Sequence, residues 1–377
     1  MTKEMMTCRQ FKYILQVFTG TWNTAAHPAK DVVRKVGDLV SRSGVSGVIV
    51  GWHPDPSLYR KLGEVLHASG VRMLLWLPAF SPAAGIAGTD PALDLTGKPV
   101  SSPFDDEEAF RFVCPSSRRN IRYVQDLWEK NFSACGFDGV LLDRVRSQSF
   151  DAGVSGVLSC GCEKCRAAFF AKGVDLADVQ KRYAEKQDAF FDIASFPPNG
   201  EFVLSDPLAQ RFFDVKEKIL AESVSPLIQY FKGKGLTVGL DLFAPLVSRF
   251  VGQNYPLLAE QADFIKPMLY LRTEAPAGIG YEYSLFEKAA PGAGKPAAPA
   301  MNRAFLETQL EAVGRVSCKK YPGIEVNFDP DTVRTDSACI AESLSAIRDY
   351  GFDGAVLSWD VLSAPAANLE AVPGWKG

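Results

Sequence analysis

The chain has 377 residues, 47% hydrophobic and 23% charged, with a formal net charge of −3. That supplies enough apolar material for a substantial core, and the near-balanced charge carries no signature of polyanion binding, so nucleic acid is excluded as an expected partner. The start, MTKEMMTCRQFKYILQVF, has no uninterrupted apolar segment ahead of a small-residue cleavage site, and no stretch reaches the roughly 18 to 20 apolar residues of a membrane span. The expectation is a cytoplasmic protein with no membrane partner and reduced thiols.

Strand-like and helix-like stretches alternate along the chain. YILQVF (Tyr13 to Phe18) and GVIVGW (Gly47 to Trp52) read as strands, each followed by an amphipathic helix, DVVRKVGDLVSRSG and PSLYRKLGEVLHASG. RMLLWLPAF (Arg72 to Phe80) is the third strand, and the helix RRNIRYVQDLWEKNFSACG leads into GFDGVLLD, Gly136 to Asp143. The helix FDVKEKILAESVSPLIQYFKGKG precedes TVGLDLFAP (Thr237 to Pro245). FIKPMLYL (Phe264 to Leu271), GIEVNFDP (Gly323 to Pro330) and GFDGAVLSWD (Gly351 to Asp360) complete the set. All are short β-branched, aromatic or apolar runs bounded by Gly, Pro or polar residues, and the helices end in Gly as helix C-termini often do.

The two GFDG phrases fall into place as strands four and eight of one barrel, each ending on a carboxylate. The predicted fold is therefore α/β: a single (β/α)8 TIM barrel over residues 1–377, with an insertion at 150–205 after strand four. Roughly 250 residues suffice for the bare fold, which leaves room for that insertion. A doubly wound sheet is disfavoured because no Gly-rich dinucleotide fingerprint follows the first strand, and no organic cofactor is expected. The low-complexity segment AAPGAGKPAAPA, Ala289 to Ala300, reads as a surface loop after strand six.

The insertion carries Cys160, Cys162 and Cys165, spaced CxCxxC, with Cys114 upstream. Four thiolates suit a closed, structural Zn2+ site that would pin the insertion to the loop after strand three. Buried or redox-active thiols are the alternative. Cys8, Cys135, Cys318 and Cys339 lack clustered spacing and read as isolated thiols.

With only three histidines, of which His53 alone sits at a strand end, a multi-histidine catalytic metal site has little support. Carboxylates recur at strand ends instead: Asp143, Asp241, Glu325, Asp329 and Asp360. Glu325, Asn327 and Asp329 share one parity in strand seven, as Lys266, Met268 and Tyr270 do in strand six. Paired carboxylates at a barrel mouth suit glycoside hydrolysis, one acting as acid and the other as nucleophile or base. Trp22, Trp52, Trp76 and Trp359 lie at strand ends where flat rings could stack on sugars, although core packing accounts for any one of them. Arg144 and Arg146 adjoin Asp143 and would favour its ionised form or serve as structural ion pairs. The expected reaction is hydrolysis of a small or partly degraded saccharide, with Asp143 as nucleophile or base, Glu325 and Asp241 competing for the acid, and Asp360 as a further candidate. Two other readings stay open: a noncatalytic saccharide-binding barrel, and a lyase or aldolase using Lys266 as a Schiff-base amine. A homo-oligomer also stays open.

GFDGVLLDRVR, VGLDLFAP, VGQNYPLLAEQADFIKPMLY and GIEVNFDP together resemble poorly characterised TIM-barrel glycoside hydrolase families over most of the chain. One Cys followed about 45 residues later by CxCxxC is similar to the zinc cluster of family 42 β-galactosidases. That likeness implies zinc on Cys114, Cys160, Cys162 and Cys165. Those enzymes use a glutamate pair on strands four and seven, whereas strand four here ends in Asp143. An aspartate there is similar to the nucleophile of retaining α-glycosidase barrels.

Overall fold

The computed structural model describes residues 11–21, 24–82, 87–100, 111–195 and 202–375. Trp22 and Cys8 lie outside them. Eight parallel strands close into a barrel: β1 (Lys12–Phe18), β2 (Val45–Gly51), β3 (Arg72–Pro78), β4 (Gly139–Asp143), β5 (Thr237–Phe243), β6 (Phe264–Met268), β7 (Gly323–Glu325) and β8 (Gly354–Ser358). Each pairs with the next, and β8 pairs with β1. Closure between β6 and β7 rests on the single register pair Gly323 and Met268, plus a short strand, Lys319–Lys320, beside β6. Pro322 separates that piece from β7; without an N–H it cannot continue the ladder.

Strict alternation builds two cores. Leu15, Val17, Val48, Val50, Leu75, Val140, Leu240 and Leu357 face outward into the layer shared with the helices. Ile14, Ile49, Leu74, Leu141, Phe264 and Val356 point inward and form a separate apolar plug with Tyr321. Gly239 belongs to that inner layer because the Phe264 ring fills its side-chain space, 2.0 Å from where a Cβ would sit.

The GFDG phrases make one joint used twice. Gly136 and Gly351 take left-handed φ of +76° and +69°, and the following Phe137 and Phe352 are buried. Asp138 then accepts the Met73 N–H of β3 at 2.7 Å, and Asp353 the Lys320 N–H of the short strand ahead of β7 at 3.1 Å. Asp263, just before β6, does the same for Val238 at 2.8 Å. The second glycine lets strands approach: a Cβ on Gly139 would lie 2.4 Å from the Thr237 carbonyl oxygen, and one on Gly354 1.9 Å from that of Lys12.

Helices Ala29–Val40, Ser57–Ala68 and Arg118–Asn131 link the first four strands. Pro207–Gly233, capped by the Asp206 carboxylate, returns the chain to β5. Between β4 and that helix, the insertion contributes helices Glu163–Ala171 and Leu176–Lys186 and a strand pair, Ile193–Ser195 with Val203–Leu204. The Gly- and Ala-rich loop after helix Ile279–Ala289 docks on this insertion through Gly292 to Asp188 and Gly294 to Asp192 hydrogen bonds. No described helix is long and apolar enough to cross a membrane.

Candidate active site

Two residues beyond the apolar plug, the inward positions turn polar: Gln16, Trp76, Asp143, Asp241, Lys266, Glu325 and Ser358. These sit toward the carboxyl ends of the strands, where barrel enzymes place their sites. Above them opens a cleft of ≈340 Å³ between Trp52, Trp76, Phe243, Tyr270 and Trp359. Trp52 and Trp76 pack with centroids 4.8 Å apart, and the Trp52 indole N–H donates to the Trp76 carbonyl at 2.6 Å. Opposite them, Tyr270 and Trp359 stand 6.1 Å apart.

Asp143, at the end of β4, accepts hydrogen bonds from the Trp76 indole at 2.9 Å and from its neighbour's backbone, Arg144 N–H, at 2.5 Å. Arg144 itself takes a left-handed φ of 51°. The Arg144 guanidinium donates to the Ser81 carbonyl and hydroxyl and lies 5.3 Å from the Trp52 ring. Burial draws its pKa down to about 10, with Asp143 opposing and Arg146 adding to the effect.

On the adjacent strand, Asp241 is 1% exposed, and its Oδ2 accepts from the Lys266 ammonium at 2.9 Å. Burial raises its carboxyl to about 7; Lys266 pulls it down, but the charge of Asp143 pushes it up. Its Oδ1 has no hydrogen-bond partner among the described residues. Lys266 also donates to the Tyr270 hydroxyl at 2.9 Å. Burial works against its charge, yet Asp241 and Tyr270 outweigh that and lift its pKa, so it stands as an ammonium rather than a nucleophilic amine. Gln16, fully buried in the cleft floor, has neither amide atom partnered among the described residues.

Several sequence-predicted residues serve the backbone instead and do not line this cleft. Glu325 accepts from Arg272 N–H at 2.5 Å and the Thr273 hydroxyl at 3.4 Å, clamping the loop after β6. Burial raises it to about 7 against those donors. Asn327 bridges Trp359 and Asp360 N–H to the Asp360 carbonyl. Asp360 joins the end of β1 to the loop after β8 by accepting from Phe18 and Leu362 N–H. Asp329 is exposed and closes a turn with Asp331 and Thr332. His53 borders a different pocket with Pro54, Pro56 and Phe132, its Nδ1 accepting from Asp55 N–H at 3.0 Å. Conversely, Gln16, Phe18 and Phe243 line the cleft without having been singled out from the sequence. Gln16 had a readable signal, the lone polar residue in YILQVF.

The four clustered cysteines converge. Cys114, Cys160, Cys162 and Cys165 place their sulfurs within 4.8 Å of one another, with Cys114 3.4 Å from Cys162 and 3.5 Å from Cys165. A tetrahedral ion with metal–sulfur bonds of about 2.3 Å needs sulfurs about 3.8 Å apart, so the set fits one. Gly161 permits it: a Cβ there would lie 2.3 Å from the Asp94 carbonyl oxygen. Cys135, Cys318 and Cys339 stay outside the cluster as free thiols.

A closed eight-stranded α/β barrel with a carboxylate-bearing cleft at its mouth is the class that fold and site define. No protein-family model matches the chain, and no curated protein matches it by sequence. Among solved structures, the PgaB (BpsB) glycoside hydrolase domain from Bordetella bronchiseptica is similar over 96% of this chain and 96% of its own, with a TM-score of 0.61 at 15% identity. The spore cortex-lytic enzyme SleL from Bacillus megaterium QM B1551 covers 98% of this chain with 75% of its own, at a TM-score of 0.50 and 10% identity. At such identities the likeness establishes the shared fold.

Proposed function

We propose that the protein is a glycoside hydrolase whose reacting carboxylates are Asp143 and Asp241. The observation that carries this reading is that two aspartates in different surroundings border one aromatic-walled cleft. Asp143 receives two N–H donors, which suit a carboxylate anion; Asp241 holds its proton up to about pH 7 and keeps Oδ1 free. Asp241 would pass that proton to the leaving glycosidic oxygen as the C–O bond breaks. Asp143 would then act on the anomeric carbon directly, or as base on the attacking water, whose oxygen ends on that carbon. Trp52, Trp76 and Trp359 would hold sugar rings by their faces.

Lys266 speaks against the Schiff-base alternative, since its amine is tied up as an ammonium with Asp241 and Tyr270. We assign one structural Zn2+ to the four cysteines, linking the loop after β3 to the insertion; it takes no part in the chemistry. Asp143→Asn is expected to lose about 10²-fold or more in turnover on a cleaved saccharide while keeping the parent's melting profile, and Asp241→Asn to lose as much while melting earlier, because it leaves the buried Lys266 ammonium without its counter-ion. Full activity in either variant would remove that residue from the mechanism. Saccharide binding by calorimetry with no cleavage of any saccharide in a broad panel would favour a noncatalytic barrel.

A further inference from the structure

Three cations face the cleft, and two are committed: Arg144 to Ser81, with Asp143 beside it, and Lys266 to Asp241 and Tyr270. Arg146 is not. It is 4% exposed, and its guanidinium carbon lies over the Phe112 ring at 4.6 Å and over the Phe243 ring at 4.5 Å. One hydrogen bond, from Nη1 to the Ser147 carbonyl at 3.0 Å, holds it. Among the described residues it makes no ion pair. Glu282, fully buried nearby, feels its charge but directs Oε1 to the Ala277 N–H at 3.0 Å.

A guanidinium packed against two aromatic rings still offers its edge, where its N–H groups lie in one plane. That edge matches a carboxylate, which two parallel N–H donors can grip at once. A permanently charged group held this deep, without an ion-pair partner among the described residues, gains most from an anion that completes it. Gln16 supplies a neutral donor and acceptor on the cleft floor, suited to sugar hydroxyls.

We propose that the cleft selects an acidic saccharide and that Arg146 binds the carboxylate of a uronic acid unit beside the scissile bond. The inference rests on the glycoside hydrolase reading for its bond, but the anion subsite itself stands on Arg146 alone. The Phe112 half of the clamp lies two residues before Cys114, so the cysteine cluster fixes one wall of this subsite.

The test uses the full chain and paired oligosaccharides that differ only in a uronate carboxylate against the neutral hydroxymethyl group. Cleavage rates and calorimetric affinities are measured for the parent, Arg146→Met, which keeps the stem but not the charge, and Arg146→Lys. The parent should favour the uronate member by about 10- to 100-fold in kcat/KM or affinity, as expected for a desolvated charge-assisted pair. Arg146→Met should erase that ratio, and Arg146→Lys should keep part of it because lysine lacks the fork. Should Arg146→Met fail to fold, the parent's preference and the lysine variant still decide. Cleavage of neutral saccharides with no uronate preference overturns the subsite and leaves the hydrolase reading intact. Uronate binding without cleavage of any member supports the subsite and sinks the hydrolase reading. Neither binding nor cleavage of uronates overturns the proposal, as does a uronate preference that Arg146→Met leaves unchanged.

Discussion

Glu325 separates holding the loop from doing the chemistry. Burial lifts its carboxyl from 4.5 to about 7, and no ion pair offsets this among the described residues. The native state therefore keeps a proton that the unfolded chain releases near pH 4.5. Between those values the native state binds more protons, so stability falls as pH rises. The gap between 4.5 and about 7, at about 1.36 kcal/mol per pH unit, gives a loss of about 3 kcal/mol. Glu325→Gln copies the protonated acid: its Oε1 can still accept from Arg272 N–H, but it never ionises. In urea denaturation followed from about pH 4 to 8, the variant should match the parent at the acid end and exceed it by about 3 kcal/mol at the alkaline end. Its turnover should survive, because the carboxyl faces the loop after β6 rather than the cleft. A parent whose stability shows no such slope would refute the buried-acid account. A variant that keeps the slope yet loses about 10²-fold or more in turnover would make Glu325 the acid in place of Asp241.

Lys266→Met should leave Asp241 buried without its counter-ion, costing about 3 kcal/mol or more at pH 8. The loss should shrink toward pH 5 as Asp241 takes up a proton; a pH-independent penalty in denaturant titrations would argue that packing dominates. Cys162→Ser should abolish binding of one Zn2+ per chain by metal analysis and make the insertion at 150–205 the first site of limited proteolysis; an unchanged metal content would remove this cysteine from the site. Gly354→Ala should destabilise by about 1 to 3 kcal/mol or prevent folding, because its Cβ would strike the Lys12 carbonyl. Gly70→Ala, in open space at a left-handed φ of +69°, should cost only about 1 to 2 kcal/mol, and thermal melts of the pair would invert the argument if Gly70 proved the more sensitive.

The barrel was legible in the sequence because alternation and helix-ending glycines are local. Gly70, Gly235 and Gly351 each follow a helix at left-handed φ, as their positions after apolar helical stretches implied. Cysteine spacing was equally local, and it led to the four residues whose sulfurs converge. The sorting of carboxylates was not legible, because it depends on which N–H groups come within reach from distant segments. Glu325 meets Arg272, and Asp360 meets Phe18 from the other end of the chain. Strand parity placed Glu325 and Asp241 alike on the inner face; only the loop after β6, folded back over β7, distinguishes them. Gln16 shows the reverse case, a polar residue legible inside an apolar strand but overlooked because it carries no charge.

The acids before β4, β6 and β8, namely Asp138, Asp263 and Asp353, fasten neighbouring strands at the end of the barrel away from the cleft. Strand-joining there needs nothing from the residues at the mouth. The cleft can therefore change its side chains, and with them the saccharide it accepts, while the opposite rim goes on keeping the strands in register.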